Sequence, residues 1–158
     1  MFDPLALRRA FGSFATGVTI ITALDETGAP VGMTANSFGS VSLDPPLVQW
    51  SLRINSALHP VFARAERFGV SVLRSDQEAL ARRFASRIAD RFAGVALAIQ
   101  AAGHDAPPLI ADAIAHFQCR KINDIRVGDH DLFIGQVLSA ETAPGAPLLF
   151  FRSEFQTG

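Results

Sequence analysis

The chain has 158 residues, of which 49% are hydrophobic and 18% charged, and its formal net charge is −1. This length allows one domain with a core of its own and is too short for two, so we predict a single domain over residues 1–158. The near-zero charge and a sequence pI near 6.4 exclude the basic surface of a nucleic-acid-binding protein or a polybasic membrane anchor.

The first 35 residues predict a helix followed by two strands. Asp3 and Pro4 are typical of a helix start, as N-cap and first helical residue. An apolar stripe with helical spacing follows at Leu7, Ala10, Phe11 and Phe14. We expect Gly17 to end this helix. The β-branched residues 18–22 predict a strand, and residues 30–35 could return beside it as a hairpin.

Small and hydroxyl-bearing residues fill positions 36–42, which predicts a loop, and the Asp-Pro-Pro at 44–46 excludes regular structure there. Residues 47–52 predict a further strand. We expect Ser56 to cap a short helix that runs through Phe62.

Alternation of apolar and small residues over 68–72 predicts a half-buried strand. Ser75 and Glu78, three residues apart, have the spacing of a capping box and predict a helix that carries Leu80 and Phe84 on one face.

Three further strands are predicted in the last third of the chain, at residues 113–119, 132–138 and 147–151. Gly128 and Asp129 predict a turn between the first two of them. On this pattern His116 is a structural residue and Cys119 lies in the core.

Six or seven short strands with about three helices, and no alternation of strand and helix, indicate a mainly β fold. Because closure removes exposed sheet edges, an antiparallel β-barrel is the economical architecture. A positive mean hydropathy of +0.24 indicates a homodimer, although a tightly packed monomer would account for it equally well.

The compartment follows from three observations. Cys119 is the single cysteine, which excludes an intramolecular disulfide and fits a reducing compartment. Asp3 lies where a signal peptide carries basic residues. No run approaches the roughly 18 apolar residues of a membrane-spanning helix. We therefore expect a cytoplasmic protein that contacts no membrane.

Common catalytic motifs are absent from the sequence. It has no G-x-G-x-x-G, no P-loop and no G-x-S-x-G. The histidines at 59, 104, 116 and 130 are scattered, which predicts no metal site. Since the side chains alone offer little catalytic chemistry, we expect a cofactor to supply it.

Residues 32–48 read GMTANSFGSVSLDPPLV, and this stretch resembles the signature of the flavin reductase-like family. Further similar pieces are FATGVT at 14–19, FAS at 84–86, DRFAG at 90–94 and GDH at 128–130. Their order and spacing extend the resemblance over nearly the whole chain. It implies an FMN-binding split β-barrel, Greek-key-like, that dimerises with flavin at or near the subunit interface.

The same resemblance implies flavin contacts at Thr34, Ala35, Asn36 and Ser37. A flavin ring needs hydrogen-bond donors at N5, O4 and O2, and a loop of small residues lets backbone N–H groups approach the ring. Without the resemblance, a plain polar turn between strands would be the favoured interpretation.

A second segment, residues 51–56, offers two hydroxyls, an amide and a guanidinium as donors suited to the flavin phosphate. The resemblance implies contacts with the phosphate and ribityl chain at Ser51, Leu52, Arg53, Asn55 and Ser56. The segment ends at the predicted helix start, which itself favours anions. Ser56 as a simple cap and Arg53 as a solvated side chain are the alternatives.

The resemblance also implies that Phe84, Ala85, Ser86 and Arg91 close over the flavin. Phe84 has the helical spacing of a core residue and could serve both purposes. We expect most of the arginines at 82, 83, 87 and 91 to be surface residues, and only Arg91 lies at a basic position that matches the family. Phe151 stands where relatives carry an aromatic residue, often Tyr, near the flavin.

His130 follows the predicted turn, and the family places its counterpart beside the nicotinamide, where it orients the donor or relays a proton. The resemblance implies an NAD(P)H:flavin oxidoreductase that uses NADH or NADPH, reduces FMN or FAD, and supplies reduced flavin to a separate monooxygenase. The alternatives are a flavin-binding protein without turnover, a reductase of another cofactor such as a corrinoid, and an interaction module without a cofactor.

Overall fold

A computed structural model describes residues 1–98, 100 and 105–157; His104 lies outside them. The described residues form three helices, α1 (Pro4–Gly12), α2 (His59–Arg64) and α3 (Glu78–Phe84). Their ten strands are β1 (Thr16–Gly17), β2 (Thr19–Leu24), β3 (Pro30–Ala35), β4 (Gly39–Leu43), β5 (Pro46–Arg53), β6 (Arg67–Val72), β7 (Ala115–Val127), β8 (His130–Thr142), β9 (Leu148–Phe151) and β10 (Glu154–Thr157).

Seven strands form one antiparallel sheet in the order β3-β2-β6-β7-β8-β5-β4, and β1, β9 and β10 form a second, smaller sheet. The predicted mainly β class with three helices is confirmed. Strands β1, β4 and β10 were not predicted. The edge strands β3 and β4 are consecutive in the chain, so residues 36–38 join the two edges of the large sheet.

Aromatic side chains fill the space that the large sheet encloses. Trp50 of β5 is fully buried, with its ring centroid 4.9 Å from that of Phe62 and 4.8 Å from that of Phe133. A second buried cluster, on the opposite face of β2, joins Ile20 to Phe84 of α3 and to the smaller sheet. Because α3 covers this face, the helix is fixed beside the loop that follows β3.

Strand β6 is buried on both faces, where the alternating pattern predicted only one. A Cβ at Gly69 would lie 2.6 Å from Thr22 Oγ1 and 2.9 Å from a Leu109 methyl group. Only glycine fits between these neighbours, and the small residues of β6 reflect close packing rather than exposure.

Helix α1 ends at Gly12, before the predicted stop at Gly17. The Gly12 carbonyl accepts from the Arg152 N–H at 2.8 Å. This carbonyl is therefore engaged by a turn distant in sequence and not by the N–H that the next turn of the helix would supply. Asp3 caps the start as predicted, accepting from Leu5 N–H at 3.0 Å.

The predicted caps of the other two helices are wrong. Leu58, not Ser56, precedes α2, and Ser56 lies in a turn where its carbonyl accepts from His59 N–H at 3.0 Å. Gln77, not Ser75, precedes α3. Its side chain accepts from Arg74 N–H at 2.9 Å and donates to a distant carbonyl, which places the helix start two residues later.

In the long hairpin of β7 and β8, residues 122–127 of β7 and residues 138–142 of β8 are exposed. Cys119 is buried, as predicted, and burial raises the pKa of its thiol to about 12. His116 Nε2 donates to the Ile110 carbonyl at 2.6 Å, consistent with a structural residue. No helix among the described residues is long and apolar enough to cross a membrane.

Candidate functional site

Residues 34–37 lie where the large sheet opens, between its edge strands. Thr34 Oγ1 donates to the Ala81 carbonyl of α3 at 2.6 Å, which anchors one end of the segment. Ser37 Oγ anchors the other end, accepting from Ser51 N–H at 3.0 Å and donating to the Ser51 carbonyl at 3.2 Å. Asn36, between these anchors, is exposed. The segment is a fixed polar loop that presents the Asn36 amide to solvent.

The second predicted segment, at the end of β5, adjoins this loop through Ser51. Arg53 ends the strand directly opposite His130 of β8. Its guanidinium is half-exposed and lies 3.9 Å from the Asp129 carboxylate. Asn55 and Ser56 follow in the turn, Asn55 exposed and Ser56 half-buried. The strand pairing therefore brings the predicted phosphate-binding segment and the predicted nicotinamide residue to one rim.

His130 is held by its neighbour in the turn. Its Nδ1 lies 2.7 Å from Asp129 Oδ1. An ionised carboxylate only accepts, so Nδ1 carries the proton and Nε2 is free to face a ligand. The hydrogen bond from His130 lowers the pKa of Asp129 below its usual value, and the charges of His130 and Arg53 add to the shift.

The third predicted segment, 84–86, is joined to β3 by Arg91. The Arg91 guanidinium donates to the Gly32 carbonyl at 2.8 Å and to the Ser86 carbonyl at 2.5 Å. Burial lowers the pKa of Arg91 from its usual value, yet a guanidinium stays charged in proteins. Arg91 thus fixes the position of this segment, with Ala85 exposed beside it.

Arg83 fixes the same loop from the other side and is a residue that sequence reasoning missed. Its guanidinium donates to three carbonyls, of Arg91 at 2.7 Å, Ala93 at 2.8 Å and Asp90 at 3.1 Å. Arg83 is therefore not one of the plain surface residues expected among these arginines. Arg83 donates to backbone carbonyls rather than to carboxylates. No pairing of opposite charges in the sequence could therefore have indicated its role.

A cleft of about 190 Å³ lies between two of the predicted segments. It is bounded by residues 57–58 after the phosphate-binding turn, by 88–92 around Arg91, and by 30–32 of β3. Gly32 faces the rings of Phe84 and Phe92, where a Cβ would lie 3.0 Å from each. A side chain at this position would therefore press on Phe92, which lines the cleft.

Three of the predicted cofactor residues have buried side chains: Ala35, Leu52 and Phe84. Phe84 packs edge-on to Phe92, with ring centroids 4.9 Å apart. These residues support the rim from beneath. Their contact with the flavin stays a prediction.

Phe151 lies in β9 of the smaller sheet, half-buried under the guanidinium of Arg152, which is 5.0 Å from its ring centroid. Within the described part of the chain, it takes part in none of the contacts that connect the other predicted segments. Its contribution to the site also stays a prediction.

A buried network behind His130 was not predicted. Asp131, the next residue, is 11% exposed at its side chain and accepts from His59 Nε2 at 2.5 Å and from the Arg126 guanidinium. Arg126 first and His59 second lower the pKa of Asp131 to about 2. Its three members come from α2, β7 and β8, so no local pattern in the sequence could have indicated them.

The exposed groups at this rim suit a flavin nucleotide. The amides of Asn36 and Asn55 and the Ser56 hydroxyl are neutral donors for ring and ribityl oxygens, and the Arg53 guanidinium suits a phosphate. The nearest rim carboxylate, Asp129, is engaged by His130 and Arg53. The donor set therefore matches a ring with several hydrogen-bond acceptors that carries one anionic group.

The fold and this rim define a split-sheet oxidoreductase of the flavin-binding type. The sequence model of the flavin reductase like domain matches residues 11–158, and the chain belongs to that family. It is 43% identical over 150 residues to the FMN reductase (NADH) SmoA of Agrobacterium fabrum, covering 95% of this chain and 83% of that protein. The chain is also 45% identical over 143 residues to a protein of Rhizobium meliloti. It spans only 45% of the length of that relative.

Solved structures agree with this assignment. The NADH:FAD oxidoreductase SgcE6 of Streptomyces globisporus, in complex with NAD and FAD fragments, superposes with a TM-score of 0.89 at 39% identity, covering 99% of this chain and 94% of that one. The styrene monooxygenase flavin reductase of Pseudomonas putida superposes with a TM-score of 0.86 at 38% identity, covering 96% and 95%.

Proposed function

We propose that this protein is an NADH-dependent flavin reductase that reduces FMN or FAD and releases reduced flavin to a separate monooxygenase. One observation carries the proposal: a continuous rim runs from residues 34–37 through Ser51 and Arg53 to His130, joined by hydrogen bonds and strand pairing. The similarity to proteins named as NADH-dependent reductases and as a monooxygenase flavin reductase supports it.

The loop at 34–37 holds the edge of the flavin ring. Its two anchors, on α3 and on β5, fix the loop before the ligand arrives, so little conformational freedom is lost on binding. When bound, the flavin supplies the acceptor that takes a hydride from reduced nicotinamide. The residues 84–86, held by Arg91 and Arg83, cover the ring from the side of α3.

The flavin phosphate lies at the turn after β5. Arg53 provides the charge, and Asn55 and Ser56 provide neutral donors. Arg53 is half-exposed and, among the described residues, pairs with Asp129 alone at 3.9 Å, so it can reorient toward a phosphate at low cost.

His130 positions the nicotinamide. Hydride transfer needs no side-chain acid. It does need the nicotinamide C4 atom, which gives the hydride, and the flavin N5 atom, which accepts it, to lie close together and aligned. With Nδ1 committed to Asp129, the Nε2 atom of His130 is the group that contacts the nicotinamide.

The whole chain acts as one domain, in the cytoplasm, as a homodimer. Large apolar side chains remain exposed on α1, just after α1 and on edge strand β4, where Phe11, Phe14 and Leu43 are 69%, 78% and 94% exposed. Such a surface on a small protein is suited to a second copy of the chain. The single, unpaired cysteine fits a reducing compartment.

Sedimentation of the purified protein tests the homodimer. We expect twice the mass of one chain, and a shift toward one chain for the Phe14→Glu, Leu43→Glu double variant. A wild-type protein that sediments as a single chain at micromolar concentration would contradict the dimer.

NADH oxidation with and without added flavin tests the function. We expect oxidation that saturates with FMN or FAD and is slow without either. Flavin binding without NADH oxidation would indicate a binding protein. Oxidation only with a corrinoid would indicate a reductase of another cofactor, and no binding of any of these would leave an interaction module.

A further inference from the structure

One carboxylate lies between the two halves of the proposed site. Asp129 uses a different oxygen for each of its neighbours: Oδ1 accepts from His130 Nδ1 at 2.7 Å, and Oδ2 lies 3.9 Å from the Arg53 guanidinium. Among the residues that the structure describes, no third side chain forms an ion pair with it. The residue proposed to bind the flavin phosphate and the residue proposed to contact the nicotinamide therefore share one acceptor.

The backbone holds these residues in register. Arg53 of β5 pairs directly with His130 of β8. The Ile54 N–H, just after β5, donates to the Asp129 carbonyl at 3.1 Å. Gly128, with φ of 62°, allows the tight turn that joins β7 to β8. The two turns are thereby fixed to each other, and the side chains of Arg53 and Asp129 are the parts left to adjust.

The contact between Arg53 and Asp129 is one that a ligand can replace. Their side chains are 55% and 74% exposed, and the 3.9 Å between them is longer than a hydrogen bond. An exposed pair of this kind contributes little to stability. A phosphate offers the guanidinium two oxygens at hydrogen-bond distance, which is the stronger contact. Arg53 therefore leaves Asp129 when the phosphate binds.

We infer that Asp129 couples the two binding events, so that the flavin phosphate raises the affinity for the nicotinamide. While Arg53 lies beside Asp129, its positive charge offsets part of the carboxylate charge. Once the phosphate holds Arg53, the full carboxylate charge acts on the Nδ1–H of His130 and holds the imidazole more firmly. His130 then presents Nε2 to the nicotinamide at a smaller cost in conformational freedom. Asp129 is thus a positioning residue that acts through His130.

The inference rests on the proposed function, from which it takes the phosphate and nicotinamide contacts. Coupling of this kind is reciprocal, because each ligand changes the affinity for the other by the same factor. An exposed ion pair limits its size, so we expect a factor of about two to five. Riboflavin, which has the ring without the phosphate, leaves Arg53 in place and should show no coupling.

Equilibrium fluorescence titrations test the coupling. The Kd for FMN is measured with and without saturating NAD⁺, which has no hydride to give and leaves the flavin oxidised. We expect NAD⁺ to lower the Kd for FMN about two- to fivefold in the wild type and to leave the Kd for riboflavin unchanged. Equal effects on FMN and riboflavin, or no effect on either, would overturn the inference.

Asp129→Asn removes the charge and keeps an oxygen that can accept from His130. Effects of opposite sign are expected in this variant. The Kd for FMN alone should fall, because Arg53 is free for the phosphate, whereas the KM for NADH should rise, because His130 is held less firmly. The effect of NAD⁺ on the Kd for FMN should disappear. A purely structural role would weaken both ligands alike, and this result or an undiminished NAD⁺ effect would contradict the role of Asp129.

Glu26→Gln is the matched control. Glu26 lies in the turn between β2 and β3 and forms an exposed ion pair with Arg64 at 3.4 Å. We expect this variant to keep the wild-type coupling, and thermal melts verify that both variants are folded. A wild-type protein that reduces FMN with NADH but shows no coupling would refute this inference and leave the proposed function standing. A wild-type protein that binds neither FMN nor NAD⁺ would refute both.

Discussion

Two carboxylates at the turn of the β7–β8 hairpin have opposite environments. The Asp129 side chain is 74% exposed and contacts His130 and, at longer range, Arg53. The Asp131 side chain is 11% exposed and contacts His59 and Arg126. The exposed Asp129 carboxylate leaves His130 and Arg53 able to move at the rim. The buried Asp131 carboxylate joins α2, β7 and β8 beneath the rim. We infer that the site combines adjustable contacts for ligands with a rigid support two residues away.

The largest effect is expected from Asp131→Ala. Its removal leaves the mostly buried His59 and the more exposed Arg126 without their shared acceptor. We expect Tm to fall by roughly 6–12 °C, against about 2 °C or less for Asp129→Ala. Differential scanning calorimetry of both variants makes the comparison. Equal melting temperatures of the two variants would show that Asp131 contributes no more to the stability of the fold than Asp129 does.

Acid stability sharpens the same contrast. The pKa of Asp131 is lowered to about 2, below an unfolded value of about 3.9, so its stabilisation is complete above about pH 4 and is lost as pH falls toward 2. Urea unfolding at pH 6 and pH 3 should show a smaller loss of unfolding free energy in Asp131→Asn than in the wild type. Since Asp25 and Asp76 also have lowered pKa values, only the difference between the two proteins is informative. Identical losses would contradict the role of Asp131.

His130→Ala tests the exposed side of the comparison. We expect kcat/KM for NADH to fall about tenfold, because the donor loses one positioning contact. Flavin affinity and Tm should remain close to those of the wild type, since His130 lies outside the buried network. Unchanged nicotinamide kinetics would remove the role assigned to this residue.

Arg53→Ala should have the smallest effect. Its long, exposed ion pair contributes little to stability, and we expect Tm to change by less than about 2 °C. The Kd for FMN should rise about threefold to tenfold, while that for riboflavin, which lacks the phosphate, should not change. A parallel loss of affinity for both ligands would show that Arg53 does not contact the phosphate.

Much of the fold follows from local sequence patterns. Asp3 and Pro4 start α1, and the β-branched residues of β2 and the span of β3 agree with the predicted hairpin. Strand β4 escaped prediction because it is a short edge strand of small and hydroxyl residues. The helix start before α3 was misjudged because Gln77 is held by the Ala111 carbonyl, 34 residues away.

The candidate site was predictable only in parts. The resemblance indicated the segments at 34–37, 51–56 and 84–86, but not that Ser37 bonds to Ser51 or that β5 pairs with β8 to join Arg53 to His130. Contacts of this kind depend on which strands become neighbours. The contact of Asp131 with His59, 72 residues away, also depends on the tertiary fold, and the carbonyls that Arg83 binds lie in the loop after α3.

The most direct test of the central claim is a fluorescence titration of the protein with FMN in the absence of nicotinamide, for the wild type, Asn36→Ala and His130→Ala. We expect saturable binding by the wild type, weaker binding by Asn36→Ala and unchanged affinity in His130→Ala, since we propose that the flavin binds at the loop and the nicotinamide beside His130. A wild-type protein that shows no saturation with FMN or FAD would contradict the account.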